Sequence, residues 1–144
     1  EKPEALKELR LLLGELLPQV RGVPLVSFSA LTGRGVDQLL PAILKVEEQW
    51  NKRIGTGALN RWLEEAVAKH PPPAAKGRHI RIRYITQPTA RPPTFAAFSS
   101  RADALPESYR RYMVNSLQKA FGLEATPVRF NFRAGKNPYA DKSK

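Results

Sequence analysis

The chain has 144 residues, 42% of them hydrophobic, and no cysteine. That is enough for one ordinary domain or two very small ones around a packed core, and it excludes disulfides and thiolate metal sites. No apolar run approaches the ~18–20 residues that span a bilayer, so no membrane partner is expected, and the lack of cysteine fits a reducing, cytoplasmic setting. The formal net charge is +11, unevenly placed: residues 1–50 hold six Lys/Arg against seven Asp/Glu, and residues 51–144 hold eighteen against six. The basic excess lies wholly in the second part, where such a field draws polyanions and speeds their encounter. A solubilising surface or an acidic protein partner would use the same charge. The chain opens on Glu1-Lys2, and its only methionine is Met113, which reads as a fragment of a longer protein.

Residues 3–17 predict a helix, with Pro3 in its first turn and Leu6, Leu9, Leu13, Leu16 and Leu17 on one stripe. Pro18 and Gly22 close it. The apolar run 24–28 reads as a buried strand, and residues 29–35 form a polar turn with two glycines. A second helix carries Val36, Leu39, Leu40, Ile43, Val46 and Trp50 on one face. Helix–strand–loop–helix signals α/β packing, yet one strand makes no sheet, so this is expected to be the end of a larger domain.

A basic linker, residues 51–57, leads to a third helix, with Thr56 as its N-cap and Leu59, Trp62, Leu63, Ala66 and Val67 inward. Pro71-Pro72-Pro73 stops it, and the period then changes from about 3.6 to 2. Strands are expected at 79–86, 94–99 and 127–133, with a Pro-rich connection at 87–93 and a loop at 101–106. A fourth helix is expected over 107–121, with Tyr109, Tyr112, Met113, Leu117 and Phe121 inward and Gly122 just past its end. The polar residues from Gly135 onward read as a frayed tail. The second part is thus an α-β-β-α-β unit of the α+β class, with helices on one face of a three-stranded sheet.

Strand alternation then assigns faces. Ile80, Ile82, Tyr84, Val128, Phe130 and Phe132 belong under the helices, and Arg81, Arg83, Arg129 and Arg133 on the opposite face. Arginine suits bidentate phosphate contact and base stacking, so these four are candidates for RNA binding. So are Lys76 and Arg78 before the first strand, Arg110 and Arg111 at the start of the fourth helix, and Lys136 in the tail. Being adjacent, Arg110 and Arg111 splay apart on a helix. His70 and His79 lack cysteine partners, so no zinc site is expected, and no serine sits in a Gly-x-Ser-x-Gly turn.

Ser29-Ala30-Leu31, after the first strand, resembles the guanine-contacting loop of translation-factor-type GTPases. Thr56-Gly57-Ala58-Leu59-Asn60-Arg61-Trp62-Leu63 resembles the start of the C-terminal domain of the Der (EngA) family. So do Ile82-Arg83-Tyr84-Ile85-Thr86-Gln87, Pro92-Pro93-Thr94-Phe95, Ser108-Tyr109-Arg110-Arg111-Tyr112 and Lys136-Asn137-Pro138, in the family's order. The resemblance covers essentially the whole chain. It implies the end of a second GTPase domain over 1–53, a KH-like domain over 54–139 and a tail over 140–144. It also implies a role in assembling the large (50S) ribosomal subunit, with ribosomal RNA and the remaining GTPase domains of the same chain as partners. GTP and Mg²⁺ would be cofactors of the parent protein, not of this fragment, in which only Ser29, Ala30 and Leu31 would touch nucleotide. The alternative is a docking domain that packs on the GTPase domains and relays nucleotide state without binding RNA.

The departures from the family's pattern matter. A phosphate-cradling Gly-x-x-x-x-Gly-Lys-Ser/Thr is absent, and Asn51-Lys52-Arg53-Ile54 lacks the aspartate of a guanine-specificity motif. The fragment is therefore expected to have no GTPase activity. A KH domain that clamps RNA uses Gly-x-x-Gly, and no two glycines here are three apart, so RNA contact must use other groups.

Overall fold

The structure, a computed structural model, describes residues 2–135. Helix α1 (Lys2–Leu16) is followed by a 3₁₀ turn (Pro18–Val20), an extended stretch, a second 3₁₀ turn (Val36–Gln38) and α2 (Leu39–Asn51). Then come α3 (Thr56–Lys69), β1 (Ile82–Thr89), β2 (Thr94–Ser99), a short turn (Ala102–Ala104), α4 (Glu107–Phe121) and β3 (Arg129–Ala134). The order of elements in the second part is the expected α-β-β-α-β.

The three strands lie in the order β1-β2-β3. β1 and β2 pair antiparallel, and β2 and β3 parallel, with α4 as the crossover that a parallel pair requires. The core sits between the sheet and two helices. Leu59, Trp62, Leu63 and Ala66 come from α3, Tyr109, Met113 and Leu117 from α4, and Ile82, Ile85, Phe95 and Ala97 from the sheet. Polar tips are tied off at its margin. Trp62 Nε1 donates to Ser116 Oγ, Tyr112 Oη to Ala66 O and Tyr109 Oη to His70 O. Asn60 of α3 accepts from Ile85 N at 3.0 Å and donates to Ile85 O at 3.1 Å, which satisfies backbone groups along the free edge of β1.

β1 begins and ends three residues later than the expected 79–86, taking in the start of the expected connection, and three other expectations fail for identifiable reasons. Residues 24–28 are extended but belong to no strand, because no described segment offers them a ladder. Gly55 stands at the N-cap of α3 with extended backbone (φ −62°, ψ 142°), and Thr56 is already helical, with no side-chain cap bond. The third concerns β1. Ile82 pairs with Ser99 and Tyr84 with Phe98, so Arg83 is an extra residue, a bulge. Past it the faces exchange: Ile85 is buried opposite Ala97, while Tyr84 is half-buried beside Phe98 on the side away from the helices, not in the core.

The first part is built differently. No residue of α2 is buried, and Leu9, Leu12, Leu16, Leu31, Leu40 and Ile43 are all exposed, Leu31 at 96%. It meets the second part through polar bonds. Gln87 is the centre of these: its Oε1 accepts from Ile54 N, its Nε2 donates to Lys52 O, and its own carbonyl accepts from Arg53 Nη1. Arg91 reaches Asn51 and Glu47 of α2, and Ala125 N donates to Gln49 Oε1 at 3.0 Å.

Candidate nucleic-acid interface

The sheet face left uncovered by the helices is set by the ladder of β2 and β3. Thr94 lies opposite Arg129, Ala96 opposite Asn131 and Phe98 opposite Arg133. Arg129 and Arg133 are both exposed, four positions and thus about 13 Å apart along one strand. Arg81, between buried Ile80 and Ile82 and just ahead of β1, is also exposed. The bulge takes Arg83 elsewhere. It lines a recess at the free edge of β1 with Asn60, Glu64 and Val67 of α3, apart from the Arg129–Arg133 row.

Lys76 and Arg78 belong to a tight two-residue hairpin. Ala75 and Arg78 exchange both backbone bonds, and Lys76 and Gly77 at the tip have φ of 50° and 69°, the left-handed geometry such a turn needs. Arg101 Nη1 anchors the hairpin through Ala75 O at 2.9 Å. The two arginines of α4 do splay. Arg111 is exposed, whereas Arg110 is engaged within its own unit: its guanidinium donates to Leu105 O and Ala102 O and lies 5.1 Å over the Phe132 ring. Lys136 lies outside the described residues. Among the described residues the only ion pair joins Arg91 to Glu47, at 3.3 Å and open to solvent, so no carboxylate neutralises these candidates by direct pairing.

Alternation along β3 hides a further feature. Val128, Phe130 and Phe132 face the helix layer but are only half-buried, because β3 is an edge strand and the helices do not cover it fully. Together with α4 and the turn at Pro18 they bound a cleft of about 410 Å³. The Phe130 and Phe132 rings stack at 4.8 Å with 31° between their planes. Arg21, which no motif in the sequence singled out, lines this cleft with Arg110 and Arg111.

Ser29, Ala30 and Leu31, which resemble a guanine-contacting loop in sequence, lie in the first part, Ser29 half-buried and the other two exposed. Ser29 Oγ accepts from Thr32 N, and Ser29 O accepts from Gly33 N, which holds a compact turn with Ala30 and Leu31 exposed. It offers no cradle for a triphosphate, and the described residues include no cluster of three metal-binding side chains. No helix among the described residues is long and apolar enough to cross a membrane.

Comparison with known proteins adds the family. The KH-domain-like family of EngA bacterial GTPase enzymes, C-terminal, matches residues 53–133. The chain is 56% identical over its full length to the GTPase Der of Parvibaculum lavamentivorans, of which it spans 30%. It is 54% identical to the GTPase Der of Azorhizobium caulinodans over 99% of the chain and 31% of that protein. With the GTPase Der of Mesorhizobium japonicum it shares 50% over 98% of the chain and 29% of that protein. The chain thus spans about a third of the length of these curated relatives, and it belongs to the KH-domain-like family found at the C-terminus of EngA bacterial GTPases.

Proposed function

We propose that this chain is the C-terminal region of a cytoplasmic GTP-binding protein that helps assemble the large ribosomal subunit, its KH-like part contacting ribosomal RNA. Residues 1–53 would complete a GTP- and Mg²⁺-dependent domain whose catalytic motifs lie elsewhere in the parent chain. The observation that carries the RNA reading is the uncompensated arginine surface. The second part holds eighteen Lys/Arg against six Asp/Glu, and Arg81, Arg129 and Arg133 stand exposed, the last two on one sheet face, without an ion pair among the described residues. Phosphates are the ligands that guanidinium groups so placed fit best. A second reading, a docking domain that relays nucleotide state, is favoured by the polar latch of Gln87, Lys52 and Arg91 and by the lack of a Gly-x-x-Gly clamp.

Binding of the chain to ribosomal RNA over a range of salt concentrations separates the two. Phosphate contact predicts that affinity falls steeply as salt rises, and that replacing both Arg129 and Arg133 by Ala lowers the log–log slope by about 1.5. Absent or salt-insensitive binding would favour docking.

A further inference from the structure

The two outer strands of the sheet differ in how their free edges are finished. β1 is closed by its own molecule: Asn60 ties off both backbone groups of Ile85, and Arg53 Nη1 donates to the carbonyl of Gln87. β3, at the other end of the sheet, is not closed in this way. Arg129 N donates to Pro93 O at 2.9 Å, and the parallel register runs on to Ala134, so Arg129, Asn131 and Arg133 turn their backbone groups to β2. Phe130 and Phe132 therefore turn theirs outward, and no group among the described residues bonds to them. The flanks of this edge are unlike. On the open sheet face stand Arg129 and Arg133, exposed and without an ion pair among the described residues. On the helix side lies the cleft, with Val114 and Val128 in its lining and Glu107, Arg21 and Arg111 around them. The Phe130 and Phe132 rings are already taken by each other and by Arg110. What the edge offers is backbone donors and acceptors at strand spacing, with apolar ground on one side and cations on the other.

We propose that β3 takes an extended acidic polypeptide segment as a fourth strand of the sheet. Its main chain would pair with the outward groups of Phe130 and Phe132. Acidic side chains at alternate positions would meet Arg129 and Arg133, and aliphatic side chains between them would rest on the apolar lining beside Val114 and Val128. A second copy of the chain fits badly. β3 paired antiparallel with itself about Asn131 sets Arg129 against Arg133 twice, like charges directly opposite. The inference is independent of the RNA reading, although both use Arg129 and Arg133, so the two ligands would compete.

A short synthetic peptide of alternating Glu and Val, fluorescein-labelled, tests it on the whole chain. Nuclear magnetic resonance of the ¹⁵N-labelled chain should show amide exchange at Phe130 and Phe132 slowed on saturation, with Arg129 and Asn131, already bonded to β2, unchanged. Fluorescence anisotropy should show saturable binding that is lost when the same residues are ordered as a Glu block and a Val block. Arg129→Gln combined with Arg133→Gln is expected to weaken binding by about 3- to 10-fold, the worth of two cross-strand charge pairs. Lys45→Gln, a charge removed from α2, should leave affinity at its original value. Equal binding of the block peptide would reduce the contact to charge alone and overturn the inference. So would exchange at Phe130 and Phe132 that the alternating peptide does not slow. Protection of those two amides by an oligouridylate and not by the peptide would overturn it in favour of nucleic acid. Each of these failures leaves RNA binding through the sheet face standing.

Discussion

Tyr109 shows how a single buried residue ties stability to pH. Burial, helped by neighbouring Tyr112, pushes its hydroxyl up to about 12 from the usual 10. Its proton is given to His70 O at 2.8 Å, a bond that only the neutral phenol can donate. The unfolded chain loses this proton first, so the contribution is whole below pH 10 and is lost as pH rises towards 12. Thermal melts between pH 9 and 12 should therefore show a fall in Tm over that window, and Tyr109→Phe should flatten it. At neutral pH the same change should cost about 0.5–1.5 kcal/mol for the lost bond. An equally steep alkaline fall in the variant would assign the effect to other groups. Among single residues, the exposed arginines were legible from strand alternation, but Arg83 and Tyr84 were not. One extra residue in β1 exchanges the two faces, and a bulge depends on how the partner strand pairs, which period alone does not record. Arg21 was invisible for another reason: only the folded chain brings it to α4.

At the scale of elements, α4 and β2 were expected over the spans they occupy, because helical and strand periods there are uninterrupted and Gly122 marks the helix end. The strand expected at 24–28 did not form a ladder, since the apolar run needs partners that no described segment provides. The linker between the two parts looked flexible in sequence, with two glycines in seven residues. In the structure it is held by Gln87, whose side chain is 9% exposed and meets the backbone on both sides of Arg53. Gln87→Ala removes both bonds and leaves Ile54 N and Lys52 O to find water. The expected cost is about 1–3 kcal/mol, visible as a lower urea midpoint, together with faster amide exchange at residues 52–54. Unchanged exchange there would show that the linker is held by other contacts.

On the scale of the molecule, the two parts differ in kind. The second has its own core, with Phe95, Leu59, Ile85 and Met113 fully buried. The first leaves many of its leucines uncovered and has an apolar groove of about 750 Å³ where α2 meets residues 23–26. A surface of that kind invites association or dye binding. Anilinonaphthalene sulfonate should fluoresce strongly with the chain, and Ile43→Lys combined with Val46→Lys, both on the groove lining, should remove most of the signal without lowering the melting temperature. Dye binding that persists in the double variant would place the open apolar surface elsewhere. The same division explains why family and fold could be read from sequence while the site could not. Order and spacing of motifs run along the chain, whereas the cleft joins residues about a hundred positions apart.

The central claim is that RNA meets the arginine-bearing sheet. Ultraviolet crosslinking of the chain to ribosomal RNA, followed by mapping of the crosslinked peptides, tests it most directly. Crosslinks should fall on the peptides that carry Arg129 and Arg133. Crosslinks confined to α1 and α2, or none above the level seen with an unrelated basic protein, would contradict it.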